Sequence, residues 1–230
     1  MFLSPALVAL LTVTAQAFPT ADPVEANAAL VARQTIVSAE LDIGPCCQIT
    51  FIFARGSTEA GNMGAIVGAD TCRAMKARFG STNVACQGVG FPYAASLIAN
   101  TFARGTSPAA IGEATRLFRL ASTKCPNTIV TTGGYSQGSA VIAASLSDLQ
   151  QQAPAVANQV AGAVLFGYTR NQQNGGRIPS YPTQRTKVFC ASGDGVCDGT
   201  LNIRPPHFSY GRDAGAATDF LAQRIAAARG

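Results

Sequence analysis

Five consecutive β-branched residues, Thr128 to Thr132, lead through Gly133 into Gly134-Tyr135-Ser136-Gln137-Gly138. An Ala-rich stretch with helical spacing, Ser136 to Gln152, follows at once, with Val141, Ile142, Leu146 and Leu149 on its apolar side. A strand, a glycine-flanked serine and a helix in immediate succession force a sharp turn at the serine. Glycines two before and two after leave room for the neighbouring backbone. The spacing predicts that Ser136 Oγ projects above the C-terminal edge of a sheet, over a helix N-terminus that offers free N–H groups and a positive dipole end. That arrangement belongs to an α/β chain.

The rest of the chain agrees. Short runs of strand character fall at Ile49 to Phe53, Asn83 to Gly88, Thr128 to Thr132, Val160 to Phe166 and Thr186 to Cys190. Helical spacing appears between and after them at Pro108 to Ser122, Ser136 to Gln152 and Ala214 to Ala228. Strands alternating with helices predict a doubly wound α/β sandwich with a mostly parallel sheet. With 230 residues, 47% of them hydrophobic and 13% charged, the chain suffices for one domain with a sizeable core. The net charge of +5 is spread without a basic run, which argues against nucleic acid as a partner.

The first 17 residues read as a signal peptide: an uncharged apolar stretch from Pro5 to Ala15, too short to span a bilayer, closes with Ala15-Gln16-Ala17. Residues 18–39 read as a propeptide or loose arm with a processing site at Arg33-Gln34, and 40–230 as a single catalytic domain. Seven cysteines in such a chain imply disulfides, and the odd number leaves at least one thiol that stays free or pairs between molecules. A bridge between Cys190 and Cys197 would close a tight loop. Metal binding is disfavoured, because there is no C-x-x-C and only one histidine. The sequence calls for no cofactor.

A nucleophilic serine needs a base, and His207 is the only histidine available. Three acids lie between Ser136 and His207: Asp148, Asp194 and Asp198. Asp148 falls within the helix after the turn. Asp194 follows the fifth strand, in the Cys190–Cys197 loop, and is preferred as the carboxylate that orients the imidazole; Asp198 is the alternative. A developing oxyanion needs donors. The backbone N–H of Gln137 is one by construction, and Ser57, in the loop after the first strand, is a second candidate.

The segments Phe51 to Glu59, Cys86 to Gly90, Gly133 to Gly138, Leu165 to Thr169, Cys190 to Cys197 and Pro206-His207 together resemble the fungal cutinase family over about Cys47 to Gly230. The resemblance implies an α/β-hydrolase-type three-layer sandwich with a central five-stranded sheet. It also implies a secreted, monomeric serine esterase acting on the insoluble plant polyester cutin and on soluble short-chain esters, with no stable membrane insertion. Family triad positions fall on Ser136, Asp194 and His207, and oxyanion positions on Ser57 and Gln137. Asn100 matches an asparagine that holds the oxyanion serine. Implied bridges are Cys47–Cys125, Cys72–Cys86 and Cys190–Cys197, leaving Cys46 as a free thiol or a competitor for Cys125. Two apolar loops would frame the substrate groove with Leu97, Ile98, Phe102, Leu201, Ile203 and Phe208. An acetylxylan-type esterase would share the triad but call for a more polar groove, and a non-catalytic adhesin would not need the intact set.

Overall fold

In the computed structural model, which describes residues 36–230, five strands form one sheet: β1 Ile49–Ala54, β2 Val84–Gly88, β3 Ile129–Tyr135, β4 Val160–Phe166 and β5 Thr186–Phe189. Every pairing is parallel and the order is β2-β1-β3-β4-β5. The helices are α1 Glu40–Ile43, α2 Gly68–Phe79, α3 Pro108–Lys124, α4 Gln137–Gln152, α5 Pro154–Gln159 and α6 Ala214–Arg229. β1 and β4 are buried along their whole length, as strands covered on both faces must be. One apolar layer packs α3, α4 and α5 against the sheet around Ile52, Leu117, Ile142 and Leu165. A second packs α2 and α6 on the other face around Phe51, Phe53, Met75 and Leu221. The fold is therefore a three-layer α/β sandwich of α/β-hydrolase type.

The order of strands decides where a site can form. From β1 the chain crosses to β2 on one side and then to β3 on the other. The direction of winding thus reverses between β1 and β3, and the loops leaving their C-terminal ends part and open a crevice. The loops that carry Ser57 and Ser136 are those two.

Three expectations need correction or extension. First, Ile36 to Ala39 are not a loose arm. Ile36 O accepts from Asn62 N at 3.1 Å and Met63 N at 3.0 Å, Ser38 O accepts from Gly88 N at 2.9 Å, and Ala39 bridges Gln87 antiparallel. The proposed signal peptide, and residues 18–35 with Arg33-Gln34, lie outside the described residues. Second, α2 is a helix that the sequence did not announce. Its inward residues are Gly68, Ala69, Thr71 and Met75, too small and polar to write an apolar stripe.

Third, the bridge to Cys125 is made by Cys46 rather than Cys47. Their Cα atoms stand 5.5 Å apart, within bridging distance, and Cys47 is left as a half-buried free thiol. Adjacent residues in non-helical backbone send their side chains in different directions, so only one of a vicinal pair can face Cys125. Cys72–Cys86 and Cys190–Cys197 form as expected.

Candidate active site

Ser136 joins the end of β3 to the start of α4 with φ 53° and ψ −120°, a backbone conformation that costs a non-glycine residue strain. The flanking glycines make the turn possible. A Cβ on Gly138 would lie 2.0 Å from Ala54 O, and one on Gly134 would lie 2.4 Å from Gly138 O. Ser136 N donates to Phe166 O at 2.8 Å, which ties the turn to the end of β4.

His207 and Asp194 arrive from the other side of the crevice. His207 Nε2 lies 3.0 Å from Ser136 Oγ, and His207 Nδ1 lies 2.9 Å from Asp194 Oδ2. All three are buried, with Ser136 8% exposed, His207 2% and Asp194 1%. Asp194 sits in a turn drawn tight by Cys190–Cys197: its N–H donates to Ala191 O, and its carbonyl accepts from Cys197 N. Its Oδ1 accepts from Val196 N at 3.0 Å. Asp148 is elsewhere, on α4, paired with Arg104 at 2.8 Å, and Asp198 is exposed.

Two tyrosines that the sequence reading passed over hold this group. Tyr135 donates from its hydroxyl to His207 O at 2.8 Å. Tyr210, fully buried three residues after His207, places its hydroxyl 2.5 Å from Asp194 Oδ2 and accepts from Ala191 N at 3.0 Å. The only signal for Tyr210 in the sequence is its nearness to the single histidine.

On the opposite wall, Ser57 Oγ accepts from Asn100 Nδ2 at 3.0 Å and from Gln137 Nε2 at 3.1 Å. A hydroxyl oxygen has two acceptor sites and one proton. Both acceptor sites are filled, so the Ser57 proton is left to point into the crevice. The N–H of Gln137, in the first turn of α4, has no intrahelical acceptor.

The Ser57 loop is closed by Glu59. Its carboxylate accepts from Gly56 N at 2.7 Å, Ala65 N at 2.9 Å and Ile66 N at 2.9 Å. Burial pushes this carboxyl above the usual glutamate range, while the three N–H donors and Arg55 act in the opposite direction.

A cleft of about 350 Å³ opens over these groups. Ser57, Asn100, Ser136 and His207 line it, with Leu97, Leu201, Ile203 and Phe208 as apolar walls. Ile66, Thr169 and Val196 contribute walls that were not anticipated. Ile98 and Phe102, expected in the groove, stand outside its walls at 68% and 45% exposure. They share a turn with Leu97 but point to the outer surface. Among the described residues no helix is long and apolar enough to cross a membrane.

A strained serine between strand and helix, an imidazole bridging it to a carboxylate, and donors across the crevice form the arrangement found in serine hydrolases of this fold. The Cutinase family model matches residues 45–225. A protein named "Probable cutinase 3" from Aspergillus fumigatus is 53% identical over 194 residues, covering 84% of this chain and 88% of that one. "Probable cutinase 5" from Aspergillus terreus is 51% identical over 222 residues, 95% and 99% of the two chains. A solved structure of Trichoderma reesei cutinase with a phosphonate inhibitor superposes with a TM-score of 0.70 at 26% identity, covering 89% of this chain and 93% of that one. The chain belongs to the cutinase family of carboxylic-ester hydrolases.

Proposed function

We propose that this protein is a secreted serine esterase that hydrolyses the ester bonds of cutin and related short-chain esters through Ser136, His207 and Asp194. The observation that carries the reading is the bridging imidazole, 3.0 Å from Ser136 Oγ on one side and 2.9 Å from Asp194 Oδ2 on the other. His207 Nε2 takes the proton of Ser136 as Oγ attacks the ester carbonyl, and Asp194 stabilises the imidazolium that forms. The Gln137 N–H and the Ser57 hydroxyl donate to the tetrahedral oxyanion. Collapse expels the alcohol, which takes its proton from His207, and leaves an acyl group on Ser136. Water, deprotonated by the same imidazole, then releases the acid.

The apolar walls Leu97, Leu201, Ile203 and Phe208 suit a waxy acyl chain better than a charged one. Three disulfides fit an oxidising compartment, which supports secretion. The test is labelling with a serine-reactive phosphonate, followed by peptide mapping and release of hydroxy acids from cutin. Modification at Ser136, and a fall in kcat of at least about 10³ in Ser136→Ala and His207→Ala, are expected. Undiminished hydrolysis by either variant would falsify the reading.

A further inference from the structure

Asp194 is held by more than the histidine it orients. Oδ2 receives two donors, His207 Nδ1 at 2.9 Å and the Tyr210 hydroxyl at 2.5 Å, while Oδ1 accepts from Val196 N. The proton on Tyr210 can be assigned from its partners. The Ala191 N–H can only donate, so the phenol oxygen accepts from it at 3.0 Å. The one phenol proton is then free for the carboxylate, which can only accept. Burial, and next the hydrogen bond to Asp194, push the Tyr210 phenol above the usual tyrosine range, so it keeps that proton wherever an esterase works.

The direction of each bond follows. Tyr210 and His207 both donate to Oδ2, which fixes the histidine proton on Nδ1 and leaves Nε2 as the acceptor for Ser136. Tyr210 also ties two separate pieces of chain together. It belongs to the short helical turn Tyr210–Asp213, beside the turn Pro205–Phe208 that carries His207. Its hydrogen-bond partners, Ala191 and Asp194, belong to the loop that carries the carboxylate. The ring is wedged edge-on against Phe166 and His207, with centroids 6.1 and 6.2 Å away, so the hydroxyl has little freedom to swing off.

We propose that Tyr210 is a positioning residue for this hydrolase: its hydroxyl fixes Asp194 Oδ2 where the imidazole needs it and so keeps His207 in the tautomer that can accept the Ser136 proton. The proposal rests on the triad reading above. When the imidazolium forms and shifts toward the departing alcohol, a carboxylate anchored on its far side stays in place. Without the phenol, the carboxylate can rotate about its Cβ–Cγ bond, and Nδ1 meets its partner in only part of the population.

The test is Tyr210→Phe, which removes one oxygen from a packed ring, compared with Tyr210→3,5-difluorotyrosine introduced at that one codon, which keeps the hydroxyl. With a soluble p-nitrophenyl ester, the phenylalanine variant is expected to lose roughly tenfold or more in kcat, as for loss of a hydrogen bond to a charged group, with KM within about twofold. Phosphonate labelling of Ser136 should slow in parallel. The difluorotyrosine variant should retain most of kcat. In proton NMR the downfield His207 Nδ1–H resonance should move in both variants, because the electron demand on Asp194 Oδ2 changes in both. Wild-type kcat in a folded Tyr210→Phe protein, or an unmoved resonance in the difluorotyrosine protein, overturns the proposal and leaves Tyr210 as core filling. If Tyr210→Phe does not fold, the difluorotyrosine resonance decides alone. Ser136→Ala and His207→Ala, run beside them, separate the outcomes: their inactivity with an active Tyr210→Phe rejects only the role of Tyr210, whereas their activity rejects the triad itself.

Discussion

Asn100 Nδ2 donates to Ser57 Oγ at 3.0 Å, joining the turn Leu97–Thr101 to the loop after β1. Together with Gln137 Nε2 at 3.1 Å it takes up the acceptor sites of that hydroxyl, so the direction of the Ser57 proton is imposed by its neighbours. Ser57→Ala removes the donor, and kcat on p-nitrophenyl butyrate should fall by about 10²–10³. Asn100→Leu keeps the donor but frees its orientation, and a smaller loss of roughly tenfold in kcat, with little change in KM, is expected. Equal losses in both variants would mean that Asn100 does more than aim the serine.

Glu59 closes the same loop through Gly56, Ala65 and Ile66. In Glu59→Gln the side-chain NH₂ must face at least one of those N–H groups, donor against donor. Urea unfolding should show a loss of about 1–3 kcal/mol. Activity should drop as well, because the loop that slackens is the one holding Ser57. Glu59→Ala, which leaves all three amides without a partner, should be the less stable of the two.

The disulfides divide stability from activity. The Cys46–Cys125 bridge spans 79 residues and Cys190–Cys197 only 7. Chain entropy then assigns about 4.5 kcal/mol to the first and about 2.5 kcal/mol to the second. Cys125→Ser should therefore cost more melting temperature, and Cys190→Ser with Cys197→Ser more kcat, since that bridge tightens the turn that holds Asp194. Paired thermal melts and ester assays decide this, and a reversed order in both would refute it.

Thiol counting checks the pairing itself. Seven cysteines and three bridges leave one thiol, on Cys47. Titration of the unfolded, unreduced protein should find one equivalent, and Cys47→Ser should find none while keeping the wild-type melting temperature within a degree or two.

Ile98 and Phe102 are exposed apolar residues outside the cleft walls. Replacing both with serine should leave hydrolysis of a soluble ester within about twofold of wild type. Adsorption to a polyester film should weaken roughly thirtyfold, since each of the two side chains that leave water on adsorption is worth about 1 kcal/mol. A parallel loss on the soluble ester would instead assign them to the cleft.

Much of this was legible in the chain, for identifiable reasons. Strands such as Ile49–Ala54 and Val160–Phe166 are buried on both faces and so had to be written in apolar residues. His207 was easy to single out because no other imidazole exists, and Asp194 because it lay in a loop closed by two cysteines. What escaped notice depended on direction or distance. Whether Cys46 or Cys47 faces Cys125 turns on side-chain orientation that spacing does not encode. Glu59 and Tyr210 act on backbone amides and on a carboxylate brought near by loops, and neither residue type advertises such a role. α2 was missed because its inner face is Gly, Ala and Thr.

The reversal of winding between β1 and β3 has an evolutionary corollary. Ser57 and Ser136 follow the C-terminal ends of two adjoining strands, β1 and β3, and the Ser57 loop is held by the Glu59 carboxylate. Most of the apolar walls come from elsewhere, from the turn after β2 and the residues on either side of His207. Substitutions of Leu97, Leu201, Ile203 or Phe208 reshape the cleft without replacing any residue that holds Ser136, His207 or Asp194. On such a scaffold the shape of the cleft and the constellation beneath it can vary independently.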